Sequence, residues 1–168
     1  EISPFSEIAP HFEGRIWDER DMPALQLMTD ACHAHGALAG AEIFFNGYAT
    51  PNRYSREVPM APSHLPVRAT DPIQARTMDK ADIRNVRRWH RNAALRARDV
   101  GFDLVYVYAG HDLGLPMHFL SRLTNRRSDE YGGSLENRVR FLRELIEDTT
   151  DTVGDRSGVV VRLAVDPL

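Results

Sequence analysis

Apolar positions recur at helical spacing in three stretches of the chain, and each stretch is followed by a short apolar run that reads as a strand. The first helix is predicted to start at Asp21 and run to about residue 35. Pro23 sits in its first turn, Leu25, Met28 and Cys32 share a face, and Gly36 is a stop signal. Residues 38–45 (LAGAEIFF) then form a near-continuous apolar run, as in a strand buried on both faces of a parallel sheet. A second helix opens at Asp79 and runs to about Val100, with Ile83, Val86, Trp89, Ala93 and Ala97 on one side and arginines on the other. Gly101 ends it, and residues 102–108 (FDLVYVY) are the second buried strand. Ser134 caps a third helix to about Val153, whose inner face is Val139, Leu142, Leu145, Ile146 and Thr149. After a turn at 154–158, residues 159–165 (VVVRLAV) are the third strand.

Regular alternation of helix and strand predicts an α/β protein with a parallel sheet. Two architectures compete, a doubly wound open sheet and a (βα)8 barrel. No glycine-rich dinucleotide fingerprint follows any of the strands, which weakens the first. A whole barrel takes about 250 residues, so 168 residues with three strands are under half of one. The stretch 46–78 carries Pro51, Pro59, Pro62, Pro66 and Pro72 and shows no periodicity, so it reads either as a functional loop, a lid or substrate wall, or as a disordered segment. The chain begins without methionine and stops just past a strand-like run, and a piece of a longer protein is expected.

Composition narrows the class. Apolar residues make up 42% and charged residues 27%, as in a folded globular protein, and the net charge of -3 gives no electrostatic case for nucleic acid or an anionic membrane. No apolar run approaches the roughly 20 residues of a membrane helix, and residues 1–10 lack the pattern of a signal peptide. Cys32 is the single cysteine, so an internal disulfide is excluded and a reducing, cytoplasmic setting is the default.

Chemistry in parallel α/β folds collects at the carboxyl ends of strands. Tyr108 and His111, three residues apart just past the second strand, can face one pocket, exchanging protons there or serving only as a buried phenol and a loop imidazole. Glu42 is a carboxylate inside an apolar run, which calls for a ligand N–H or an arginine on a neighbouring strand. Arg162, inside VVVRLAV, needs an anionic or carbonyl partner, which a cofactor or Glu42 itself could supply. His33 and His35 suit a helix end, while His11, His64 and His90 read as loop or helix-surface residues. No spacing among the histidines resembles a metal-ligand set, and Cys32 reads as core.

The segment from Asn125 to Phe141 (NRRSDEYGGSLENRVRF) resembles the NxRxDxYGGSxENRxRF signature of the old yellow enzyme superfamily, and Gly101-Phe102-Asp103 and the arginine of the next strand match as well. Arg15 to Glu19, Gly36 to Glu42, Pro51-Asn52 and Val105 to Tyr108 are similar to the trimethylamine and dimethylamine dehydrogenase branch. The resemblance implies that residues 1–168 are a fragment of an FMN-binding (βα)8-barrel domain, holding strands three to five. It implies Tyr108 and His111 as catalytic residues, two members of a triad whose Asp lies on a later strand. It implies Glu42 and Arg162 as flavin-binding residues, at N3–H and at N1 with the C2 carbonyl. Ene-reductases carry His and Gln where this chain has Tyr108 and Glu42. The implied activity is oxidative demethylation of a methylated amine by hydride transfer to FMN. A [4Fe-4S] cluster and a second nucleotide would lie outside this chain, with room for an electron-transfer partner and a homo-oligomer. The fragment alone is expected to be inactive, because its strand edges are open. An NAD(P)H-dependent ene- or dienoyl-reductase on the same barrel and a flavin-free binding module are the alternatives. After His111 the chain reads DLGLPMHFL, one residue longer than the branch pattern and without its tyrosine, so the loop beside the pocket differs. The signature segment itself is expected to be structural, with its charges paired locally.

Overall fold

The computed structural model describes residues 1–6, 14–68 and 72–164. His11 and the last residue of the third predicted strand, Val165, lie outside the described residues. The elements run α1 (Met22–His33), β1 (Gly40–Ile43), β2 (Met60–Ala61), β3 (Leu65–Pro66), β4 (Gln74–Thr77), α2 (Lys80–Asp99), β5 (Leu104–Ala109), α3 (Leu115–Leu120), α4 (Leu135–Val153) and β6 (Gly158–Leu163).

Side-chain caps set the helix starts. The Asp79 carboxylate accepts from the backbone N–H of Asp82 at 2.8 Å, and the Asp82 carboxylate accepts from that of Asp79 at 2.9 Å, a reciprocal box that opens α2. Ser134 Oγ accepts from Asn137 N–H at the head of α4. At α1 the expected cap differs. Asp21 makes no side-chain cap there, because its carboxylate turns back to the N–H of Asp18, which itself caps a preceding 3-10 turn, Glu19–Asp21.

The strands β1, β5 and β6 form one parallel sheet in that order, with Glu42 opposite Tyr106 and Tyr108 opposite Arg162. Alternation gives the sheet two unlike faces. Ile43, Val105, Val107 and Ala109 are buried in one core with Ile83, Val86, Ala93 and Ala97 of α2 and Phe141, Leu142 and Leu145 of α4. The other face presents Gly40, Glu42, Tyr106, Val160 and Arg162, all exposed or half-buried. Burial of the first strand on both faces is therefore corrected: the helices cover one side only, and Leu38 is exposed. The apolar face of α1 is also largely uncovered. Leu25 and Cys32 are half-buried, Met28 is exposed, and the buried residue of the helix is Thr29, whose Oγ donates to the carbonyl of Val100.

The stretch read as a structureless loop holds a second small sheet. In it β4 pairs with β2 in parallel and with β3 antiparallel, around Tyr48, Ala61, Leu65, Val67 and Ala75. Strands of two to four residues are too short to show a period of two. The helix α3 was also absent from the expectation. Leu115, Pro116, Met117, His118 and Phe119 are all buried, so it carries no polar face to mark it.

The segment 125–134 ties these parts together. Arg127 pairs with Asp129 through two nitrogens, at 2.9 and 2.5 Å, and Nη1 donates to the carbonyls of Met78 and Pro62. Asn125 Nδ2 donates to the carbonyls of Phe119 and Tyr131, both at 2.7 Å. A Cβ on Gly132 would fall 2.1 Å from the Arg127 carbonyl oxygen, so this backbone approach admits no side chain. The local pairing of charges is as expected, and Arg127 adds a clamp on the small sheet.

Candidate active site

Glu42, Tyr108, His111 and Arg162 meet at the carboxyl end of the sheet, on its open face. Strand β5 ends in Tyr108 and Ala109, and the chain then turns through Gly110 so that the His111 ring folds back. Tyr108 Oη and His111 Nδ1 are 2.5 Å apart, a short hydrogen bond. The other ring nitrogen of His111, Nε2, lies 3.5 Å from Nη2 of Arg162. Arg162 Nη1 donates to Glu42 Oε1 at 2.6 Å, and its guanidinium carbon sits 5.7 Å from the centre of the Tyr108 ring. The ion pair spans the sheet, with β1 and β6 on either side of β5. The arginine partner weighed for Glu42 is thus Arg162 itself, and the two strands are not adjacent.

Both charged groups keep access to the outside, with side chains 47% exposed for Arg162 and 38% for Glu42. The premise that each is buried in its strand is therefore corrected, and solvent screening makes their mutual attraction modest. The hydrogen bond to Glu42 holds the Arg162 pKa above its ordinary value. Burial pushes the Tyr108 pKa up, with Arg162 acting in the opposite sense, so the phenol keeps its proton at neutral pH. The guanidinium facing His111 Nε2 favours the tautomer in which Nε2 accepts. Nδ1–H then donates to Tyr108 Oη, which leaves the phenol proton to point elsewhere. Phe44 closes one side, its ring 5.5 Å from that of Tyr108.

His111 and the next residue, Asp112, both have positive φ, 53° and 54°, and neither is glycine. Each such residue costs about 1 kcal/mol or more, so the surroundings must hold the turn. Asp112, Arg68 and His118 surround it, and sequence reasoning singled out none of the three. His118 is fully buried, and burial pushes its pKa down to about 4. Its only advance sign was a position after Pro116 on a helix that no periodicity revealed. His90, read as a loop or surface histidine, is also buried and pushed down to about 4, because α2 turns it toward Thr149 of α4.

The opposite end of the sheet is built differently. Asp103 accepts from Ala39 N–H at 2.8 Å and from His33 at 2.9 Å, stapling the starts of the strands to α1. Among the described residues no group of three His, Cys, Asp or Glu side chains could hold a metal ion, and no helix is long and apolar enough to cross a membrane.

A family model described as the NADH:flavin oxidoreductase / NADH oxidase family matches residues 2–168. Dimethylamine dehydrogenase of Hyphomicrobium sp. (strain x) is 40% identical over 173 residues, covering 99% of this chain and 23% of that protein. Histamine dehydrogenase from Rhizobium sp. 4-9 is 51% identical with a TM-score of 0.92, covering 96% of this chain and 25% of that one. The 6-hydroxypseudooxynicotine amine oxidase from Pseudomonas geniculata N1 is 45% identical with a TM-score of 0.94, covering 98% and 25%. The chain thus spans about a quarter of the length of these relatives. Matched along nearly its whole length, the chain belongs to the NADH:flavin oxidoreductase / NADH oxidase family, whose cofactor is FMN.

Proposed function

We propose that residues 1–168 form part of an FMN-binding (βα)8 barrel, with strands three to five and their helices, and that the whole protein oxidises an amine. The resemblance of the sequence to the trimethylamine and dimethylamine dehydrogenase branch narrows the substrate to a methylated amine. A one-sided parallel sheet supports the barrel, since its open face would become the barrel interior.

The residues on that face fit a flavin. An isoalloxazine pyrimidine edge offers one N–H donor, N3, beside acceptors at N1 and the C2 carbonyl. A half-exposed carboxylate and a half-exposed guanidinium, held side by side, are the complementary set. Glu42 would accept from N3–H and Arg162 would donate to the acceptors. When bound, FMN supplies a two-electron acceptor for hydride from the carbon beside the amine nitrogen. Arg162 would supply a positive charge to that acceptor as it gains negative charge. Tyr108, kept protonated by its burial, offers a hydroxyl to orient the substrate nitrogen. His111, donating Nδ1–H to Oη from behind, holds the phenol with its own proton free to point at that nitrogen.

The observation that carries this reading is the Tyr108–His111 hydrogen bond beside the Glu42–Arg162 pair. The test uses the full-length flavoprotein, mixed without oxygen with trimethylamine, dimethylamine or histamine, while the visible flavin band is followed. Bleaching by a methylated amine with release of formaldehyde is expected, and Tyr108→Phe should slow it about 100-fold at unchanged flavin content. Bleaching by histamine alone would keep the amine class and reject demethylation. Bleaching only by NADH or NADPH, with reoxidation by an activated enone, would replace the proposal with an ene-reductase. A purified protein without any flavin band would replace it with a binding module.

A further inference from the structure

The left-handed turn at His111 and Asp112 is gripped from two sides by groups outside the proposed catalytic set. From the buried side, His118 Nε2 lies 3.1 Å from the Asp112 carbonyl oxygen. A carbonyl can only accept, so Nε2 carries the proton and donates it. The His118 ring is itself boxed in: the edge of Tyr48 meets it at a centroid separation of 4.3 Å, and a Cβ on Gly47 would come within 2.8 Å of Nδ1. From the solvent side, Arg68 Nη1 lies 2.9 Å from the Asp112 carboxylate and 3.3 and 3.5 Å from the Asp112 and His111 carbonyl oxygens. The Arg68 backbone N–H donates to the Tyr48 carbonyl at 3.1 Å, so both grips rest on the same small-sheet unit.

The two carbonyl contacts of Arg68 are long, and an exposed ion pair alone holds little. Their placement gives them leverage, because the peptides they touch set the direction in which the His111 side chain leaves the backbone. We propose that Arg68 and His118 are positioning residues that hold the His111–Asp112 turn left-handed and so fix the His111 ring against Tyr108 and Arg162. Residues 46–68 are then a structural arm of the active site, reaching it through Arg68 and Tyr48. The loop that departs from the branch pattern after His111 is the element it holds, through Asp112 and His118. The kinetic consequence rests on the amine reading above, whereas the structural consequence does not.

The test uses the full-length holoprotein with Arg68→Met, Asp112→Asn and Arg68→Lys, each alone and combined with Tyr108→Phe, and with His118→Gln as a second grip. Arg68→Met should slow amine-driven flavin reduction about tenfold at unchanged flavin content, and Arg68→Lys should recover part of that. In the Tyr108→Phe background, Arg68→Met should add nothing, because the contact it protects is already gone. A crystal structure of Arg68→Met should show the His111 ring displaced from Tyr108. The inference is overturned by an Arg68→Met structure that retains the left-handed turn and the short Tyr108–His111 bond. Losses that multiply in the double variant overturn it equally. If no amine reduces the wild-type flavin, the function proposed above fails, and the crystal structure still decides the grip.

Discussion

The packing of α2 on α4 fixes the outer layer on which the active-site sheet rests, and Arg87 is its polar centre. Its Nε and Nη2 donate to the two oxygens of Asp148 at 2.7 and 3.1 Å, and its Nη1 lies 3.1 Å from Glu144. The three side chains are 27%, 10% and 18% exposed in that order, so the pair is largely desolvated. These contacts raise the Arg87 pKa further above its ordinary value, the hydrogen bond to Asp148 first among them. Arg87→Met leaves Asp148 charged, mostly buried and without its bidentate partner. Arg91, 3.7 Å away and half-exposed, is a weak replacement, and His90 beside it is held neutral by burial. Breaking a fully buried pair costs about 3–5 kcal/mol, and discounting for partial exposure and Arg91 leaves about 2–3 kcal/mol. Thermal unfolding of the barrel, a unit of about 250 residues followed by flavin release in the full-length holoprotein, should then show a midpoint lower by about 4–12 °C. Removing the more buried carboxylate as well, Arg87→Met with Asp148→Leu, should restore about half of the loss, since the carboxylate left behind, Glu144, still accepts from the Tyr131 hydroxyl. A double variant as unstable as Arg87→Met alone would refute the desolvation argument. It would mean that Arg87 contributes by packing.

Two further outcomes test the energetics. His90 and His118 are pushed by burial to about 4, against roughly 6.5 when unfolded. The unfolded chain therefore binds protons that the folded one refuses, and stability should fall as pH drops from about 6.5 to 4, by about 1.4 kcal/mol per pH unit for each residue, and level off below. Midpoints measured across that window should show the slope, and His90→Gln should remove about half of it. Gly132→Ala should cost about 3 kcal/mol or more, because its Cβ meets a carbonyl that Arg127 cannot withdraw without releasing Met78 and Pro62. Limited proteolysis at 62–78 should become faster, and unchanged cleavage would show that the clamp holds without this close approach.

What the sequence revealed follows the physical range of each signal. Helix α2 was legible because a cap, an apolar stripe and a terminal glycine lie within one window, and Ile83, Val86, Ala93 and Ala97 are buried as that stripe requires. The segment 46–78 was not, since strands of two residues carry no period and their pairing, Met60 with Arg76 and Leu65 with Ala75, is set by partners more than ten residues away or nearly so. Helix α3 failed for the opposite reason, uniform burial, and with it went His118. The same split runs through the site. Tyr108 and His111 are neighbours in the chain and could be paired by spacing. Arg68 reaches the turn across 43 and 44 residues and stands in a proline-rich stretch without pattern, so only coordinates connect it.

Glu42 and Arg162 lie between these cases, and the reason concerns the sheet itself. Both stood out as charges in apolar runs, yet those runs read as buried on two sides because Val159 to Val161 and the residues about Glu42 give no visible alternation. The polar residues were themselves the record of the open face. In the observed register, Arg162 lies opposite Tyr108, and Val161, itself 38% exposed, lies opposite Val107. A slip of β6 by one residue would turn Arg162 to the opposite side of the sheet and carry Val161 to the open face. It would part the guanidinium from Glu42 and from His111 Nε2, which it meets at 2.6 and 3.5 Å in the observed register. The register of β6 is therefore what brings Arg162 to Glu42 and His111.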